Sequence, residues 1–284
     1  LEPYDGVSLA AVEAALARYA DAIAGLDDGQ QILDACHAAD PLPQALAAID
    51  LALWDRASMQ EGRPIASMLS DTALTRVPVN ATIAALDPGA AAEAASRAVT
   101  AGFRSLKVKV GAGDDAGRLA AVRAAAGPEA AIRVDANGAW TVSEAAELLP
   151  VIDGAAGGLE FCEEPVHGAA AMRELASLVP SVPIASDETG LDGAPIVCLK
   201  LSRSGGISTL CAQAAFVRAG GGEVFISSTF DGPIGISAAL HCAAALEVEM
   251  ACGLATLDAF EDAVPEALVP VSGELGLPAS LGLG

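Results

Sequence analysis

Ser105-Leu-Lys-Val-Lys-Val-Gly111 is a short apolar run of strand type that carries two lysines two residues apart. Alternate residues of a strand point to the same face, so Lys107 and Lys109 project together. Two ammonium groups side by side on a buried type of strand raise each other's charging cost, and a fold keeps them only where chemistry needs them. The chain has only three lysines, and the third, Lys200, ends another strand-like run, Pro195-Ile-Val-Cys-Leu-Lys200. Arginine supplies a permanent charge. Lysine can shed its proton when desolvated or placed beside another cation, and so act as a base.

Outward from this stretch, the sequence alternates strand and helix from Val77 onward. Strands are predicted at Val77 to Ala84, Arg104 to Val110, Ala131 to Asp135, Leu159 to Glu163, Val182 to Asp187, Pro195 to Lys200 and Glu223 to Ser228, with a weak eighth near Ala251 to Leu254. Alanine- and leucine-rich helical stretches fall near 89–101, 114–126, 141–151, 168–178, 206–219 and 234–247. Such alternation implies a parallel sheet. Lys109, Asp135, Glu163 and Asp187 follow one another at intervals of 26, 28 and 24 residues, each about one βα unit. Polar side chains recurring at the carboxyl ends of successive strands mark the active-site end of a (β/α)8 barrel. An open doubly wound sheet would carry a glycine-rich phosphate loop after its first strand, and none is present. Glu188 to Lys200 spans only 12 residues, too few for a helix plus a strand. We therefore expect seven or eight strands with the fifth helix replaced by the loop Thr189-Gly-Leu-Asp-Gly193.

Residues 1–76 read as helical and alanine-rich, with amphipathic stretches from Ser8 to about Ala24 and from Pro43 to Met59, Trp54 in the core, and turns at Asp27-Asp-Gly29 and Glu61-Gly-Arg-Pro64. The whole chain of 284 residues has a formal net charge of −22 and is 53% hydrophobic. Nucleic acid and anionic membranes are excluded as partners by charge, and disorder by hydrophobicity. The acidity fits the surface of a protein from a salt-rich, halophile-like cytoplasm, where ionic strength screens repulsion. Six scattered cysteines without C-x-x-C spacing read as buried thiols in a reducing compartment. No signal peptide is read at the start, and the apolar segment from Gly232 to Leu246, which contains His241, is too short to span a membrane. A cytoplasmic location is expected.

Asp135, Glu163 and Asp187 end three consecutive predicted strands. Three carboxylates meeting at one barrel mouth repel unless a cation neutralises them, and an all-oxygen set suits a hard ion, with Mg²⁺ the first choice and Mn²⁺ a substitute. A lysine beside a metal that grips a carboxylate is an arrangement for removing a proton α to that carboxylate. Lys109 is read as the base, kept partly neutral by Lys107 and burial. Lys200, from another strand, is read either as a second base on the opposite face or as a cation stabilising the enolate.

Lys107-Val-Lys109, Arg133-Val-Asp-Ala-Asn-Gly-Ala-Trp140, Phe161-Cys-Glu-Glu-Pro165, Ile184-Ala-Ser-Asp-Glu188 and Leu199-Lys200 resemble, in order and spacing, the motif set of the enolase superfamily, muconate-lactonizing subgroup, over roughly residues 43–284. The resemblance implies a modified (β/α)7β barrel with a smaller, mainly helical N-terminal capping domain. It divides the chain into a cap at 1–76, a barrel at 77–264 and a C-terminal segment at 265–284 packing back on the cap. It implies Asp135, Glu163 and Asp187 as Mg²⁺ ligands, Lys109 as acid/base with Lys107 as its partner, Lys200 across the site, and Asn137, Glu164 and Glu188 as neighbouring groups. A small-molecule carboxylate substrate is implied, and a homo-oligomer is a further expectation.

Within the subgroup, Val77-Pro-Val-Asn-Ala81, Ile226-Ser-Ser-Thr-Phe-Asp-Gly-Pro-Ile-Gly235 and Ala251-Cys-Gly-Leu-Ala-Thr256 resemble the o-succinylbenzoate synthase branch. That branch dehydrates 2-succinyl-6-hydroxy-2,4-cyclohexadiene-1-carboxylate on the route to menaquinone. The likeness places Ser227 and Ser228 in the substrate pocket with Asp231 close by. N-acylamino acid racemase, dipeptide epimerase and muconate cycloisomerase remain alternatives, the epimerase weakened because Ala255-Thr-Leu-Asp258 stands where an Asp-x-Asp pair is expected. The family's usual opening, a three-stranded sheet with a loop that closes over the substrate, has no counterpart in the given residues. The chain is accordingly read as a piece of a longer enzyme, in preference to a trimmed enzyme or an inactive relative.

Overall fold

The run from Val77 to Ala84 is two strands, broken at Val79 and Asn80, whose N–H groups donate to Gly273 O and Cys252 O. A computed structural model describes residues 6–261, 264–278 and 280–283, so the first five residues of the expected cap lie outside the described residues. Strand β1 (Arg76–Pro78) pairs antiparallel with a late strand, Glu274–Gly276, and stands apart from the barrel. The main sheet runs through β2 (Ala81–Ile83), β3 (Ser105–Lys109), β4 (Ala131–Asp135), β5 (Cys162–Glu163), β6 (Ile184–Ser186), β7 (Ile196–Leu199) and β8 (Glu223–Ile226). Its strands are in chain order, each parallel to the next.

The weak eighth strand is reduced to two single-residue bridges, Val79 to Cys252 and Ser227 to Gly253. Cys252 N donates to Pro78 O at 2.8 Å and Gly253 N to Ile226 O at 2.9 Å, so this segment joins the chain before β2 to the chain after β8 and curls the sheet into a ring. The approach is close: a Cβ on Gly253 would stand 2.3 Å from Ser227 Oγ and push that hydroxyl aside.

Helices Pro88–Thr100, Asp115–Ala126, Val142–Ala156, Ala169–Leu178, Ile207–Ala219 and Pro233–Ala245 follow successive strands. Their starts are written locally. Asp87, Asp114 and Thr141 each accept a backbone N–H three residues on, and Thr141 with Glu144 closes a capping box, each cap contributing about 1 kcal/mol. Between β6 and β7 the described chain makes no helix, as the short spacing predicts. On β3 and β4, Leu106, Val108, Ile132 and Val134 join the apolar layer beneath the helices. The intervening Lys107, Lys109, Arg133 and Asp135 face the axis. Arg133 fills the barrel below the site: its guanidinium lies 4.4 Å from the Phe161 ring centroid and 5.4 Å from that of Phe225. Its Nη1 donates to Ala251 O at 2.7 Å and its Nε to Glu160 at 2.9 Å, which satisfies a charge that has no access to water. Burying each of the two phenylalanines contributes roughly 2–3 kcal/mol.

The first residues form helices Leu9–Ala22, Gly29–Ala39, Pro43–Glu61 and Ile65–Leu69. The turn read at Asp27-Asp-Gly29 is in fact the start of the second of these, capped by Asp28. Trp54, expected in the core, is half-buried and donates its indole N–H to Ser208 Oγ at 2.9 Å, while the buried Asp50 carboxylate accepts from Ser208 N at 3.2 Å. Both fix helix Pro43–Glu61 on the first turn of helix Ile207–Ala219. At the other end of the chain, Gly282 N donates to Ser58 Oγ and Leu283 N to Asp55 Oδ1, each at 2.9 Å, so this segment reaches the same helix. No helix among the described residues is long and apolar enough to cross a membrane.

His241 is fully buried on helix Pro233–Ala245, with Nδ1 accepting from Ala66 N at 3.2 Å, and burial lowers its pKa to about 4. The unfolded chain takes up a proton near pH 6.5 that the folded protein refuses. Stability from this group is therefore full above pH 6.5 and is lost as pH falls from 6.5 to 4, by roughly 3 kcal/mol at the lower end. His241→Gln is expected to narrow the difference in melting temperature between pH 7 and pH 4.5 by about 5 °C. An unchanged difference would remove His241 from the acid response.

Candidate active site

The register of β3, β4 and β5 places Lys109 opposite Asp135 and Asp135 opposite Glu163, so the three strand ends meet on one level. Lys107 Nζ lies 2.8 Å from Asp135 Oδ2 and 2.7 Å from Glu163 Oε2. Lys109 Nζ lies 2.7 Å from the same Asp135 oxygen and 2.8 Å from Asn137 Oδ1. The two ammonium groups do share a face, but a carboxylate sits between them. Lys200 and Arg203 both pair with Asp187, Arg203 Nη1 at 3.0 Å.

The electrostatics follow from crowding. Burial, with Asp135 and Asp187 nearby, pushes Glu163 up to about 7 in spite of Lys107. Burial would raise Asp135 too, but Lys107 and Lys109 hold it down at about 2. Burial works against the charge on Lys107, and Glu163 and Asp135 outweigh it, holding its pKa above the usual lysine range. Lys107 is therefore a fixed cation, and any neutral lysine at this site has to be another one. Glu188 is pushed up by burial and by Asp187.

Two backbone positions aim these groups. Asn137 and Glu164 have φ of 45° and 39°, in the left-handed region that ordinary residues avoid. Asn137 thereby bonds Lys109 on one side and, through Nδ2, Glu188 Oε1 at 3.2 Å on the other. Glu164 turns beneath Asp187, whose N–H donates to Glu164 Oε2 at 2.9 Å, and it also accepts from Thr189 Oγ1. His167 has Nδ1 3.3 Å from Glu164 Oε1 and its ring over Gly138, where a Cβ would clash with it.

A cavity of about 380 Å³ opens above this level, walled by Lys107, Lys109 and Asp135 on one side, Lys200 and Arg203 on the other, and Ser227 and Ser228 between them. Asp231 is not among its walls; its carboxylate folds back to accept from Thr229 N at 3.1 Å. A second cavity of about 530 Å³ adjoins it behind Asp187, Glu188 and Lys200, bounded by Leu42, Pro43 and Gln44 of the helical region. A larger cavity of about 630 Å³ lies at the opposite mouth, among Arg104, Glu160 and Glu223, and carries no lysine. Three groups escaped the sequence reading: Arg203, Thr82 and Cys198. Arg203 was the findable one, since three residues on from Lys200 in a helical turn it returns to the same face.

Asp135, Glu163 and Asp187 fit a divalent cation. Each is at most 7% exposed, all project from the ends of adjacent strands, and their mutual repulsion is relieved by Lys107, Lys109, Lys200 and Arg203.

A curled parallel sheet with carboxylates and lysines at the carboxyl ends of its strands defines an α/β barrel of the enolase-superfamily type. The family model described as enolase C-terminal domain-like matches residues 90–284, and the chain belongs to this family. An o-succinylbenzoate synthase of Mycobacterium tuberculosis (strain ATCC 25618 / H37Rv) is 38% identical over 219 residues, 71% of this chain and 64% of that protein. The chain thus spans less than two thirds of the length of the curated relatives it matches. A dipeptide epimerase from Enterococcus faecalis V583, solved with Mg and the dipeptide L-Leu-L-Tyr, superposes over 100% of this chain and 85% of that one, with TM-score 0.91 and 26% identity. An N-succinyl Arg/Lys racemase from Bacillus cereus ATCC 14579 superposes over 100% and 81%, with TM-score 0.91 and 25% identity.

Proposed function

We propose that this site catalyses Mg²⁺-dependent syn-dehydration of 2-succinyl-6-hydroxy-2,4-cyclohexadiene-1-carboxylate to o-succinylbenzoate. The observation that carries the chemistry is one cavity with Lys109 on β3 and Lys200 after β7 on facing walls, and Asp135 beneath. Identity of 38% to an o-succinylbenzoate synthase, against 25–26% to the epimerase and racemase, favours dehydration within that chemistry.

Asp135, Glu163 and Asp187 would hold the cation. Mg²⁺ held there would supply positive charge to a substrate carboxylate as its oxygens take up negative charge on loss of the α-proton. Lys109 Nζ takes the α-proton, oriented by Asn137, and returns it to the departing hydroxide on the same face. Lys107 stays protonated and keeps its two carboxylates in place. Lys200, on the far wall, remains a cation and balances the developing negative charge. Ser227 and Ser228 line the path to the succinyl group. Aromatisation of the ring makes the elimination downhill, so modest machinery suffices.

A second reading has its own observation. Facing lysines also suit racemisation, with Lys109 and Lys200 exchanging a proton on opposite faces of an α-carbon, as in an N-acylamino acid racemase or epimerase. Absorbance on mixing with the cyclohexadiene substrate decides. Rapid loss of the diene signal that requires Mg²⁺ is expected. No loss, together with deuterium exchange at the α-carbon of N-acylamino acids, would transfer the assignment to racemisation.

A further inference from the structure

The site contains a buried thiol that the dehydration does not use. Cys198 lies on β7 two residues before Lys200, so it faces the barrel axis one layer below that lysine. It is 5% exposed and forms part of the wall of the 530 Å³ cavity behind Asp187. Its Sγ, one oxygen of Glu163 and one oxygen of Asp187 all lie within 4.8 Å of one another. Donors around a single zinc-sized ion stand roughly 3–4 Å apart, given metal–ligand bonds of about 2.0–2.3 Å. Small side-chain rotations close that difference.

The chemistry of this set differs from that of the all-oxygen one. Mg²⁺ takes oxygen and leaves a thiol untouched, whereas Zn²⁺ and Cd²⁺ favour sulfur. We propose that Glu163, Asp187 and Cys198 form a site for a thiophilic divalent cation, Zn²⁺ or Cd²⁺, which shares two carboxylates with the Mg²⁺ set and so displaces Mg²⁺. On binding, the S–H bond breaks and a metal–sulfur bond forms, the proton passing to solvent water without any change of oxidation state. Asp135 is not among the donor atoms that lie within 4.8 Å of one another, and the ion sits on the β7 side of the barrel. The consequence is a form of the protein loaded with the wrong metal, in which neither lysine faces a correctly placed substrate carboxylate.

The proposal rests on the carboxylates assigned above and not on the substrate. It is tested on the full chain, free of Mg²⁺ and of substrate, by following the ultraviolet Cd²⁺–thiolate charge-transfer band as Cd²⁺ is added. The wild-type band is expected to saturate at a single equivalent, to move to higher Cd²⁺ when Mg²⁺ is in excess, and to be lost in Cys198→Ser. Asp187→Asn keeps every thiol and is expected to weaken Cd²⁺ at least about 10-fold. A band of full size in Cys198→Ser, unchanged Cd²⁺ affinity in Asp187→Asn, or indifference of the titration to Mg²⁺ would each overturn the site. Any of these leaves the dehydration reading standing, and a protein that shows the band but does not consume the diene sinks that reading alone.

Discussion

Lys109→Ala is expected to lower turnover about 10³-fold or more, the scale of losing a positioned general acid/base, while moving the melting temperature by only about 2 °C. The two halves of this expectation have separate causes. Lys109 keeps 35% of its side chain exposed, and its partner Asp135 retains Lys107 at 2.8 Å when Lys109 is removed. No buried charge is stranded, so stability changes little. The proton, however, has no other acceptor on that wall, because Lys107 is held protonated by Asp135 and Glu163. Lys109→Arg separates charge from basicity: it restores a cation beside Asp135 and Asn137 but should leave turnover abolished. Activity within 10-fold of wild type in either variant would remove Lys109 from the mechanism.

Asp187→Asn should act on the metal first. Removing one of three carboxylates is expected to weaken Mg²⁺ at least about 100-fold by calorimetry, beyond the usual loss for an outer partner of a metal ligand. In the wild type, Mg²⁺ at about 100 times its Kd should add about 2.7 kcal/mol to stability, and the variant should lose that increment. Without Mg²⁺ the variant should also unfold more readily, since Lys200 and Arg203 are left without their shared acid, and breaking such a buried arrangement costs about 3 kcal/mol. The same Mg²⁺-dependent rise in melting temperature in both proteins would exclude Asp187 as a ligand.

The barrel was legible because its signals are local and repeated. Successive strand ends one βα unit apart reported both the parallel order and the mouth where the chemistry gathers, and the short interval before Lys200 reported the missing helix. The break at Asn80 was less visible. Only the return of Glu274–Gly276 from the far end of the chain gives β1 a partner of its own. The eighth strand was faint for a similar reason: its backbone bonds go to two segments far apart in sequence, and single bridges leave no alternating pattern.

The sequence by itself determined the alternation of βα units, the strand end that carries each candidate group, and the placing of Lys107 with Lys109 on one face, because a period of two fixes side-chain direction whatever surrounds the strand. Tertiary structure alone decided which ammonium is pinned. Asp135 and Glu163 come from two other strands, and their closeness to Lys107, more than the closeness of the two lysines, sets its charge. It likewise decided that Arg203 shares Asp187 with Lys200 and that Cys198 lies among the carboxylates. Coulomb and ligand interactions depend on distances across the barrel, and those exist only once the ring has closed.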